Sequence, residues 1–97
     1  MSEIAPELQE RVRNAGRLAA YETFVMFLNP KFRGDAFSWE RLPNMAETSA
    51  KASWFNAVTE KEYQKFKGEL DRIAAHAARD QANIILSRSD ILSWWKS

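Results

Sequence analysis

Residues 59–86 read TEKEYQKFKGELDRIAAHAARDQANIIL, and this stretch decides the fold. Thr59 followed by Glu62 has capping-box spacing, in which each side chain satisfies a backbone donor that the start of a helix leaves free. Tyr63, Phe66, Leu70, Ile73 and Ala77 then recur at alternating three and four, and the seam meets Asp80 before resuming at Ile84. A second row of Ala74, Ala78, Ala82 and Ile85 runs beside it. The expectation is one helix from Glu60 to Leu86, about 40 Å long at 1.5 Å per residue. That length lets a helix overhang a small bundle and offer apolar surface to a second copy.

Working back from this helix, Met45 to Val58 reads as a shorter alanine-rich helix, with Asn44 and Glu47 again at capping-box spacing and Trp54 and Phe55 as its anchors. Further back, Pro6 and Glu7 suit the first turn of a helix that ends at Asn29-Pro30. Its apolar stripe is wide: Leu8, Val12, Ala15, Ala19 and Met26, with Leu18, Tyr21, Val25 and Leu28 adjoining. Gly16 costs about 1 kcal/mol against alanine in a helix interior, which marks a close approach of another helix or a mild hinge. Between Pro30 and Pro43 the chain is irregular by composition, with a turn at Arg33-Gly34-Asp35 and one helical turn from Ser38 to Leu42. The expected fold is therefore all-α: a single helical domain spanning 1–97, a small antiparallel bundle of two long helices, one shorter helix and a short C-terminal helical turn over residues 91–96.

Composition narrows the function. The 97 residues carry 14 Lys plus Arg against 13 Asp plus Glu, and each third of the chain is close to neutral. A binder that relies on phosphate contacts concentrates positive charge, and none is concentrated here. The chain has no cysteine, which removes disulfides, thiolate metal sites and a cysteine nucleophile. His76 is the single histidine, set at i,i+4 spacing to Asp80, and it reads as a surface histidine bonded to that carboxylate rather than a metal ligand. No GxSxG, GxGxxG or GxxxxGK pattern occurs, and Ser38, Ser87 and Ser89 fall where hydroxyls cap helices. The expectation is no enzyme, no catalytic residue, no metal and no cofactor. The start of the chain lacks the basic and apolar run of a secretory signal, and no stretch is apolar enough for a membrane span, so a cytoplasmic protein without membrane contact is expected.

Two binding surfaces remain. The tail carries Ile91, Leu92, Trp94 and Trp95, and neighbouring side chains on a helix point about 100° apart, so both indoles do not serve one core. Tryptophan is enriched at binding hot spots. This makes the tail and the long helix the expected contact for a protein partner or for a homodimer or higher oligomer, in an adaptor or inhibitor type of role. The alternative is a nucleotide or nucleic-acid binding module using Lys31, Phe32, Arg33, Phe37, Trp39 and Arg41, where cations alternate with rings that stack bases.

Overall fold

The computed structural model describes residues 4–29, 31 and 39–88. Among them there is no strand, and three helices form an all-α bundle: α1 (Pro6–Leu28), α2 (Leu42–Ser53) and α3 (Glu60–Ser87), with single 3-10 turns at Trp39–Arg41 and Trp54–Ala57. The expected terminal turn over residues 91–96 lies outside the described residues.

The ends of the long helices follow local chemistry. Pro6 occupies the first turn of α1 with Glu7 beside it, and buried Ile4 precedes the helix, its carbonyl accepting from Gln9 Nε2 at 2.9 Å. At the other end the Asn29 N–H donates to the Met26 carbonyl, and Asn29 Oδ1 accepts from the Lys31 N–H at 3.0 Å, turning the chain away. The Thr59 box forms in full: the Glu62 N–H donates to Thr59 Oγ1 (3.2 Å) and the Thr59 N–H to Glu62 Oε1 (2.8 Å). α3 runs 28 residues and carries one non-helical residue, Phe66 at φ −128°, ψ 15°, which kinks it after its second turn.

α2 departs from expectation. It starts at Leu42, directly after the Trp39–Arg41 turn, with Pro43 inside its first turn, where a missing donor costs nothing. Asn44 and Glu47 therefore do not cap it. They accept from Arg79 of α3 instead, at 2.6 Å (Nη2 to Asn44 Oδ1) and 2.8 Å (Nε to Glu47 Oε2). After Ser53 the helix tightens into the 3-10 turn Trp54–Ala57, so regular α-helix does not reach Val58. The tightening turns Trp54 into the core and leaves Phe55 outside, 45% exposed, so one of the two expected anchors is buried and the other is not.

Contacts at the two ends of the bundle give the direction of each helix. Arg11 pairs with Glu62 and Tyr21 with Gln81, while Trp54 bonds Asp71 and Glu47 bonds Arg79. Consecutive helices are antiparallel, and α1 and α3 run parallel because α2 carries the chain back between them. The two long helices are thus not antiparallel to each other, a correction that follows from an odd number of passes.

Where α1 and α3 meet, the backbones nearly touch. A Cβ built on Gly16 would overlap the Ala74 carbonyl oxygen and lie 3.2 Å from the Ala77 Cβ. Close approach selects small side chains: Gly16 meets Ala74 and Ala77, and the buried residues of α3 include Ala74, Ala75, Ala77, Ala78 and Ala82. Leu42, Leu70 and Val12 are the largest side chains fully buried. Thr23 is also buried, with its hydroxyl donating to the Ala19 carbonyl at 2.8 Å, so this buried donor is matched.

Arg11 ties the start of α1 to the start of α3. Its guanidinium bonds Glu7 (2.8 Å to Oε2), Glu62 (2.9 Å to Oε1) and the Ala57 carbonyl (3.2 Å). The Thr59 N–H and then the Arg11 guanidinium hold the Glu62 carboxyl below its ordinary value of 4.5. A carboxyl lowered in the folded state contributes stability that is present above the unfolded pKa and is lost as pH falls through the folded one. The melting temperature is expected to drop on acidification below about pH 4.5, and the profile of Glu62→Gln to be shallower there. Parallel profiles for the two proteins would show that this carboxyl is not involved.

Candidate functional site

The structure places the expected site residues unevenly. Ile91, Leu92, Trp94 and Trp95 lie outside the described residues, as do Phe32, Arg33 and Phe37. Of the remaining basic-aromatic set, Lys31 and Arg41 are exposed. Trp39 is half-buried with its ring 5.6 Å from Phe24 and 5.9 Å from Phe27, packed on α1. Among the described members of that set, the one aromatic ring thus covers the core of the bundle.

Sequence reasoning missed the surface that the fold leaves open. Leu18, Tyr21 and Val25, the row adjoining the apolar stripe, are 58, 50 and 62% exposed. They fall at i, i+3 and i+7, one outward face of α1. Tyr21 Oη accepts from Gln81 Nε2 of α3 at 3.0 Å. Because the helices are parallel, Ile84, one turn past Gln81 and 54% exposed, sits at the level of Val25, one turn past Tyr21. Leu18, Tyr21 and Val25 form an apolar row along α1, and Ile84 is a further exposed apolar side chain on the neighbouring α3. The available signal was Gly16 with Ala20: a helix that approaches that side closely leaves the bulkier row facing out.

Beside the row runs a groove of about 420 Å³, floored by Ile73, Ala77 and Ile84 and rimmed by Arg13, Arg17 and His76. The arginines share Glu10 at 3.2 and 2.9 Å, and their hydrogen bonds, Arg17 first, hold its carboxyl below the ordinary range. His76 Nε2 stands 3.3 Å from Asp80 Oδ2 on an exposed surface, the pairing expected from their spacing. Exposed pairs of this kind are screened by water and leave the groove a solvated, charged edge.

A second concavity opens on the far side of α3. Trp54 stacks on Tyr63 with centroids 5.5 Å apart and planes at 28°, and Phe55 meets Tyr63 edge-on at 6.4 Å and 79°. The Trp54 indole N–H donates to Asp71 Oδ1 at 2.9 Å, anchoring the cluster to α3. Lys51 and Lys67 flank a depression of about 340 Å³ whose floor includes Gly68.

Among the described residues no three His, Asp or Glu side chains gather as a metal site, and no helix is long and apolar enough to cross a membrane. Three of the described hydroxyls turn to their own helices: Thr48, Ser53 and Ser87 donate to the carbonyls of Asn44, Ser49 and Ile84 at 3.0, 2.8 and 2.7 Å. Ser87 closes the end of α3, while Ser38 and Ser89 lie outside the described residues. Comparison of the chain with protein-family models, curated proteins and solved structures finds no match.

Proposed function

We propose that this is a small cytoplasmic, non-enzymatic interaction protein that binds protein surfaces, its own second copy first, through the outer faces of α1 and α3. The observation that carries the reading is the outward α1 row of Leu18, Tyr21 and Val25, each at least half exposed, with Ile84 exposed on the neighbouring α3. Large apolar side chains scattered singly are ordinary, whereas a contiguous row on one face marks a contact surface. Spacing of three and four along α1 suits a partner helix laid alongside, and Tyr21 offers an apolar ring with a polar tip. The tail residues Ile91, Leu92, Trp94 and Trp95 enter the same proposal as a second contact element, with indoles as anchors.

Sedimentation velocity over a concentration series tests the reading. The expected result is mass that rises with concentration in the native chain and a monomer for the double variant Leu18→Asp, Val25→Asp. Both positions are exposed, so helical content and stability should stay within about 0.5 kcal/mol of the parent. A native chain that is monomeric up to about 1 mM, where even a 4 kcal/mol contact is half populated, would end the self-association reading.

A further inference from the structure

We propose that the depression between Lys51 and Lys67 is a binding site for a nucleoside monophosphate, with the base against Phe55 and Tyr63 and the phosphate between the two lysines. The site uses none of the α1 row residues, and it stands or falls apart from self-association.

Four observations meet there. First, the rings form a corner: Tyr63 is backed by buried Trp54 at 5.5 Å, and Phe55 stands at 79° to it with nearly half its surface in water. A planar ring laid into such a corner meets one face and one edge, a geometry aromatic pairs favour. Base–aromatic stacking contributes about 1–3 kcal/mol per base.

Second, Gly68 forms the floor, and a Cβ built there would meet nothing within 4 Å, so the space above it is open. The depression of about 340 Å³ is at the lower end of small-molecule sites, which run from about 300 to 1,000 Å³. It has room for one nucleotide.

Third, the cations are available. Among the described residues the Lys67 ammonium makes no ion pair, and Lys51 stands 3.8 Å from Glu47, whose carboxylate is held more closely by Arg79. Two ammoniums supplied by two helices match a phosphate monoester, which carries about −1.5 to −2 charges near neutral pH, better than a single carboxylate. Fourth, the one carboxylate lining the depression, Asp71, is bonded through Oδ1 to the Trp54 indole.

The base-stacking chemistry that the sequence suggests for residues 31–41 thus has a formed geometry between α2 and α3. Its source is either a free nucleotide, whose monoester matches both ammoniums, or one residue of a single strand, which presents the same ring with a singly charged phosphodiester.

The test is calorimetric titration of the full chain at low salt with adenosine monophosphate, adenosine, inorganic phosphate and a short oligothymidylate. Saturable binding of the monophosphate, about tenfold or more tighter than either adenosine or phosphate alone and weakened by salt, is the expected result. Lys67→Ala and Phe55→Ala should each weaken it about tenfold, and both are surface changes that leave the helices in place. Lys61→Ala, exposed in the first turn of α3 and outside the depression, should leave it unchanged. An oligonucleotide that binds more tightly than the monophosphate, with the same dependence on Lys67 and Phe55, assigns the site to single strands. Equal or weaker binding assigns it to free nucleotides. Absence of saturable binding by either probe, or binding indifferent to both variants, overturns the proposal.

Discussion

Replacing Trp54 by alanine should cost about 3–5 kcal/mol, the range for removing a buried Trp or Phe. Only 2% of Trp54 is exposed, its ring stacks on Tyr63, and its indole N–H is held by Asp71 at 2.9 Å. It closes the corner between α2 and α3, where the chain reverses through a 3-10 turn. For a domain of this size the loss corresponds to roughly 15–30 °C in melting temperature. Trp54→Phe keeps most of the ring and loses the donor, so it should cost less than Trp54→Ala, about 1–2 kcal/mol. Asp71→Asn leaves an acceptor for the indole and should be milder again. Thermal melts of the three variants check the order, and equal losses for Trp54→Phe and Trp54→Ala would show that the hydrogen bond rather than the packing is what matters.

One substitution made at two glycines should give opposite signs. Gly16→Ala places a methyl against the Ala74 backbone carbonyl, which has no flexible end to move aside, and overpacking of this kind costs about 1–3 kcal/mol even after alanine's better helix propensity. Gly68→Ala adds the same methyl to the same helical backbone in open space and should stabilise by about 0.5–1 kcal/mol. Denaturant unfolding of both variants with unchanged m-values is the measurement. A stabilised Gly16→Ala would mean that α1 and α3 do not approach as closely as the packing requires.

The same two glycines show how much of the fold could be read in advance. Gly16 was legible as a close approach or a hinge, and the close approach is what is found. The residue it approaches, Ala74, is 58 positions away, and no periodicity names it. The alanine row of α3 was legible as a second face; that it is the deeper face, with Tyr63, Phe66 and Ile73 only half buried, follows from the backbone contact with α1. Of the candidate surfaces, the rings around Trp54 were partly legible as anchors. The α1 row was legible only indirectly, through Gly16 and Ala20, because the same spacing that buries a helix face also describes an exposed one.

What the sequence determined by itself is local. The start of α1 at Pro6, its end at Asn29, the complete Thr59–Glu62 box, the Glu7–Arg11 pair and the His76–Asp80 pair all join groups within four residues of one another. Such contacts form or fail with the chain's own geometry. The tertiary structure alone decided which rows face inward, that α1 and α3 run parallel, and that Asn44 and Glu47 serve Arg79 rather than their own helix. A carboxylate offered either a neutral backbone donor or a guanidinium gains more from the charged one, and the guanidinium arrives only when distant segments pack.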